Sequence, residues 1–336
     1  MTRSFLPCII WLFLATTLFA QQFVGEPLRL AVFSEESPSP VLAAKDTKNC
    51  RRFLALDESR DQILYVDQFA PENNWIIPLK TKARDMMLVN DKAEIRTPSL
   101  TSNFNILVGV FKGGFREYDF HTQKQVREIS DAQYKANSVA ACRFDDGSTL
   151  LSCARNPNQG NLNEFYLLDA AGKEFSHFSY PDIQSVRCSR LTSGNTILFG
   201  ANDNILFEGS LDGKIVRQTV IEGARYVYMA YEKENGNILL STGFGCEIVE
   251  LDKDWKVIRK WGGKPGPKGI NYHFFASVQE MLNGHLFIAH WTGHGANDSE
   301  KGPQIIELDA DGNIVWSWHD PKLAGTIHNA IVFEDQ

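Results

Sequence analysis

Four stretches of the chain repeat one phrase: FDDGSTLLS (144–152), LTSGNTILFG (191–200), KENGNILLS (233–241) and MLNGHLFIA (281–289). Each is a tight polar turn around Gly147, Gly194, Gly236 or Gly284 that opens a short run of β-branched and aliphatic residues. The glycines fall 47, 42 and 48 residues apart. A period of about 40–50 residues holding several short strands is that of a β-propeller blade. A second phrase alternates with the first: LLDAAGKEF (167–175), GSLDGKIV (209–216), ELDKDWKVI (250–258) and ELDADGNIV (307–314). Each joins two alternating strands through an Asp/Gly turn. The first turn then links strands a and b of a blade, and the second links c and d.

The two markers of a blade lie 25, 19, 19 and 28 residues apart. Two blades are therefore compact, and two carry insertions between strands b and c, at ARNPNQGNLN (154–163) and WTGHGANDSEKGP (291–303). Upstream, residues 106–129 read as strands b, c and d of a further blade. The preceding phrase, 93–109, echoes 184–200 and sets Arg96 opposite Arg187. RFLALD (52–57), QILYVD (62–67) and NWIIPLK (74–80) form three more strands, and HNAIVF (328–333) ends the chain as a strand a with nothing after it. The ring closes if that last strand completes the first blade, which predicts an all-β propeller of six blades. DMMLVN (85–90) is one strand too many for this count and leaves seven blades as the alternative. No segment holds a helical apolar stripe for three turns.

Arg3 precedes an apolar run from Phe5 to Phe19, followed by Ala20, which reads as a secretory signal peptide over 1–20. Residues 21–49 form an N-terminal arm and 50–336 a single propeller domain, giving an exported protein, periplasmic or extracellular, with no membrane span after cleavage and a monomeric state. The net charge is −7 and the positive residues are scattered, so no footprint for nucleic acid exists. Five cysteines follow the leader: Cys50, Cys142, Cys153, Cys188 and Cys246. An odd count without short spacing is no disulfide framework, so they read as buried thiols, with Cys142–Cys153 an optional pair.

The stretch YHFFASVQEMLNGHLFIAHWTGHG (272–295) with ELDADGNIVWSWHDP (307–321) resembles bacterial exported propellers of the quinoprotein-like repeat superfamily. That group includes pyrroloquinoline-quinone dehydrogenases, outer-membrane assembly propellers and arylsulfotransferases. The likeness covers about residues 50–336 and is one of blades, whose signatures are structural. A quinone dehydrogenase looks for eight tryptophan-docked blades, a calcium site and adjacent cysteines, and this chain lacks that pattern. The resemblance therefore implies no pyrroloquinoline quinone and no other cofactor.

In a propeller the d-to-a and b-to-c connections share one face, and the repeated glycine turns occupy the other, which reads as purely structural. Five histidines fall on the first face: His273, His290, His294, His319 and His328. Imidazoles at one mouth suit acid–base chemistry, with His290, His294 and His328 as catalytic candidates, or a divalent metal, although no carboxylate or cysteine stands at a standard ligand spacing. His285, in an opposite-face turn, reads as solvated. Arg84, Arg155, Arg187 and Arg225 present planar forks suited to carboxylate, sulfate or phosphate, the alternative being pairs with blade acids such as Asp85 or Glu94. Tyr226, Tyr228, Tyr272, Phe274 and Trp291 offer rings to stack on sugars or to pack between blades, and Asn329 adjoins His328. Trp316 and Trp318 read as blade packing. The expectation is a binding propeller that holds a polysaccharide, a small anionic ligand or a protein partner at the channel mouth. The alternatives are an enzyme on an acidic or sulfated glycan, using channel histidines and arginines, and an assembly scaffold.

Overall fold

The protein is described by a computed structural model covering residues 49–90, 94–96, 98–111, 113–130, 138–156, 162–295 and 297–334, without the side chains of 155, 156 and 162. The leader, all of the N-terminal arm but its last residue, and the tip of the 154–163 insertion lie outside the described residues. Among those described, no helix is long and apolar enough to cross a membrane.

Six antiparallel sheets form a propeller. The first blade joins β1 (Arg52–Asp57), β2 (Gln62–Asp67) and β3 (Trp75–Pro78) to the last strand, β25 (Ile327–Phe333), which lies innermost. The second runs β4 (Ala83–Val89), β6 (Asn105–Val110), β7 (Phe115–Asp119) and β8 (Gln125–Ile129), with the short β5 (Glu94–Ile95) added beside β4. Blades three to six follow as β9 (Ser138–Arg143) to β12 (Glu174–Phe178), β13 (Arg190–Leu191) to β16 (Ile215–Val220), β17 (Met229–Glu232) to β20 (Val257–Gly262), and β21 (Phe274–Glu280) to β24 (Ile314–Trp318). The DMMLVN run thus belongs to β4, strand a of blade two, and the count is six.

Local chemistry explains the turns. Gly147, Gly236 and Gly284 take φ near +80°, where a Cβ would be strained, and this left-handed residue closes each a-to-b hairpin. In the second repeat that conformation falls on Asn195, φ 58°, rather than Gly194, because asparagine also tolerates it. Trp255, φ 63°, holds the place that Gly172, Gly213 and Gly312 hold in the other c-to-d turns.

The apolar core lies between neighbouring blades. Phe53 of β1 meets Trp318 edge-on at 5.2 Å and Trp316 at 6.0 Å, which seats blade one on blade six. The ring is closed by β25 pairing antiparallel with β1 from Arg52↔Phe333 to Asp57↔Ile327. Asp57 fastens this seam: its carboxylate accepts hydrogen bonds from the Gly325 amide at 2.7 Å, Gln62 Nε2 at 3.0 Å, and Ser59 Oγ and the Arg60 amide at 3.1 Å. The five described cysteines are buried, and Cys142, Cys153, Cys188 and Cys246 are free. Cys142 and Cys153 are not cross-strand partners: β9 and β10 (Thr149–Asn156) set Cys142 opposite Leu150 and Cys153 opposite Ser138, so the optional disulfide is absent. Burial pushes both thiols up to about 12, which keeps them protonated and unreactive.

Candidate functional site

A four-residue b-to-c turn in blade one delivers the residue that sequence reasoning missed. Glu58 follows β1 directly, and its side chain is 1% exposed. A shift of register between Leu56 and Asp57 in the β1–β25 pairing marks a bulge, the device by which a strand end re-aims its side chains. The carboxylate accepts from Arg84 Nε at 2.8 Å and from Trp291 Nε1 at 3.2 Å. His294 Nδ1 and His328 Nε2 each stand 3.1 Å from Oε2, the second off the line of a hydrogen bond. Burial by itself would raise the Glu58 pKa, but His328, His294 and Arg84 outweigh it and hold the carboxyl far below the usual range. One buried anion thus gathers residues from blades one, two and six.

The other wall is aromatic and cationic. Tyr228, just ahead of β17, donates or accepts at 2.8 Å with His328 Nδ1, and the two rings stack at 5.4 Å. Burial pushes His328 down to about 4, so at neutral pH it is an uncharged ring bonded to Tyr228 and lying beside Glu58. Arg187 lies over Tyr226 at 5.1 Å and over Tyr228 at 5.8 Å. One terminal nitrogen reaches Asn202, while its Nε is buried without a partner. Among the described residues no carboxylate lies within ion-pair distance of Arg187. Burial, and next the Arg84 charge, pull its pKa below the ordinary arginine value.

The remaining expected residues divide sharply. His290 is wholly buried and spent on structure: Nε2 accepts the His273 amide at 2.8 Å and Nδ1 donates to the Pro303 carbonyl at 2.6 Å. Burial pushes it down to about 3, and it takes no part in the mouth. His319 binds the Ser299 carbonyl at 2.9 Å, again a loop tie. His273 Nε2 is buried with no partner, and burial, then Lys301 and Lys264, push that ring down to about 4. Of the five histidines expected at this face, only His294 is exposed, with 59% of its side chain open to solvent. Arg225 is exposed, and the Arg155 side chain lies outside the described residues. Trp291 is 8% exposed and packs on Phe274 and His328, so it offers no open stacking face. Asn329 sits deeper, donating to Asp85 at 2.8 Å. His285 is not merely solvated: its Nδ1 stands 2.7 Å from the buried Glu307. Arg96 does not match Arg187 either. It follows β5, in the a-to-b connection, and bonds the Glu232 carbonyl on the opposite face. No group of three or more histidine, cysteine or acidic residues among those described could hold a metal ion.

Beneath the mouth the channel is plugged. Arg190 forms a two-pronged pair with Asp85, at 2.6 and 2.7 Å, and Asn329 binds the same carboxylate. A second bulge, between Ala83 and Met86, explains how consecutive residues serve two levels: Arg84 reaches the mouth and Asp85 the plug.

No family model matches the chain, nor does any curated protein. Solved structures do. A Bacteroides caccae protein of unknown function aligns over 85% of this chain and 100% of its own, at TM-score 0.66 and 17% identity. A catalytically inactive histidine-to-alanine variant of virginiamycin B lyase from Staphylococcus aureus, solved with quinupristin, aligns over 89% of this chain and 99% of its own, at TM-score 0.53 and 12% identity. These are likenesses of fold, and the blade-level resemblance read from the sequence stands.

Proposed function

We propose that this is an exported binding propeller that takes the anionic group of a small molecule or glycan at the histidine-bearing mouth of its channel. Arg187 carries the reading. A partly buried guanidinium with a sealed Nε and no facing carboxylate pays desolvation that only an anion returns. Arg84, by contrast, already has Glu58. Tyr226, half-buried against Phe244, lies beside Arg187 and offers a ring edge to the body of the ligand. The test is a thermal-shift series with a heparin tetrasaccharide, tetragalacturonate and neutral cellotetraose. An anionic sugar at about a hundred times its Kd stabilises by about 2.7 kcal/mol. Arg187→Met removes that shift. Equal responses to neutral and charged sugars, or none to either, overturn the proposal.

A second reading is favoured by His294. Its Nδ1 is held by Glu58 at 3.1 Å while the rest of the ring faces solvent, the arrangement of a carboxylate-oriented general base. A lyase shares the fold, and its histidine-to-alanine variant is inactive. Turnover of an ester-bearing substrate such as quinupristin, lost in His294→Ala and kept in His319→Ala, supports acid–base catalysis; no turnover in the wild type removes it.

A further inference from the structure

The face that carries the repeated glycine turns reads from sequence as structural alone, yet the channel opens there into a cavity of about 380 Å³. Its walls come from the inner strands, below the Asp85–Arg190 plug that separates it from the histidine mouth. The chain has five methionines, and apart from Met1 all of them line this one chamber: Met86, Met87, Met229 and Met281. Tyr231, Val278, Leu282 and Ile331 add to the apolar surface. Unbranched thioethers re-pack around varied shapes, which is why methionine is favoured on surfaces that accept different apolar partners.

The polar groups in the wall define the rest of the ligand. Arg190 is paired with Asp85, and Lys233 is held by Glu250 at 2.9 Å and Glu280 at 2.8 Å. Gln279 spends both ends on the Val332 backbone. Each of these cations is thus neutralised, as is Arg96 in the same wall by Glu94 at 3.5 Å, so the chamber offers no unpaired positive charge comparable to Arg187. Ser277 is different. Its Oγ accepts the Ala330 amide at 3.0 Å, which leaves the hydroxyl hydrogen for an acceptor inside the chamber.

We propose that this chamber is a second binding site, for an uncharged lipophilic small molecule carrying one hydrogen-bond acceptor that meets Ser277. Its volume falls in the range of roughly 300–1,000 Å³ that takes a drug-sized ligand, and a site sunk within the ring of inner strands excludes a folded partner. The two mouths therefore differ in kind: the histidine side selects charge, and the methionine side rejects it.

The probe is N-phenyl-1-naphthylamine, neutral and fluorescent in apolar surroundings, titrated into the full chain. Saturable binding with one site per chain is expected, at least tenfold tighter than that of the sulfonated analogue 8-anilinonaphthalene-1-sulfonate. Met229→Glu and Met281→Glu each weaken it at least tenfold, whereas Arg187→Met, at the other mouth, leaves it unchanged. A second readout uses wild-type protein alone: saturating probe slows peroxide oxidation of Met229 and Met281 at least threefold, followed by peptide mass spectrometry. The proposal is overturned by unsaturable binding, by equal or tighter binding of the sulfonate, or by unprotected methionines. It is equally overturned by a solution dimer that Met281→Glu dissociates, which would make the chamber a contact between copies.

Discussion

Changing Glu58 to Gln removes one buried charge while keeping the shape of the side chain, and the structure sets the size of the effect. The lost carboxylate faces Arg84, whose side chain is 21% exposed, and accepts from Trp291 and His294. Breaking a fully buried pair costs about 3–5 kcal/mol, because the surviving charge is left unpaired. An exposed pair is worth about 0–1 kcal/mol. Arg84 stands between these limits, and the amide oxygen of Gln still accepts one of the lost bonds, so the expected loss is about 2–3 kcal/mol. For a domain of this size that is roughly 3–5 °C in Tm. Urea titration followed by tryptophan fluorescence reads it as a lower midpoint at unchanged slope. The double variant Glu58→Gln/Arg84→Met decides the cause: with both charges gone, its loss falls short of the sum of the single losses by about 1 kcal/mol or more. Sulfate also stabilises Glu58→Gln more than the wild type, since Arg84 then lacks an anion. Additive losses and no sulfate effect refute the view that a buried ion pair organises this mouth.

Four further outcomes follow from the same structure. His273 and His328, held at about 4, and His290, at about 3, are neutral when folded, whereas the unfolded chain protonates each near 6.5. The unfolded state therefore binds up to three more protons as pH falls from about 6.5 towards 4, and the urea midpoint drops through that window, at up to about 4 kcal/mol per pH unit; Glu58, whose folded pKa is depressed, adds its own loss only below about 4.5, and a midpoint flat from pH 7 to 5 contradicts this. A Cβ on Gly200 would sit 1.8 Å from the Val227 carbonyl oxygen, a backbone clash that rotamers cannot relieve, so Gly200→Ala should lower stability by at least about 1–3 kcal/mol or abolish soluble expression. Asp57→Ala unfastens the seam between β1 and β25 and should open it to proteolysis near residue 325, a cleavage that intact Asp57 suppresses. The buried thiols should resist Ellman's reagent until urea unfolds the chain, and prompt labelling of the native protein would contradict the thiol shifts.

Much of the fold was legible because its signals are local. Tight turns, strand alternation and blade period are each written within about a dozen residues, and the unmatched final strand announced the closure that β25 and β1 make. The site was legible only in part. Histidine position marked one face, but burial split the set: His290 and His319 became loop ties, while His294 and His328 met Glu58. The Arg96–Arg187 echo failed because β5 inserts a hairpin beside β4, which carries Arg96 to the opposite face. Glu58 escaped notice because attention to long insertions passes over a four-residue turn.

What the chain determines by itself is a stack of similar four-stranded units and the order in which they come, since propensity and turn chemistry act between neighbours. Ring closure decided the rest. Glu58 and His294 are 236 residues apart in sequence and meet only when the last strand pairs with the first blade. The bulges in the inner strands then choose which of two adjacent side chains faces the charged mouth and which the plug beneath it, with the methionine chamber lying below. That choice depends on register across the closed ring, a quantity no local stretch of sequence contains.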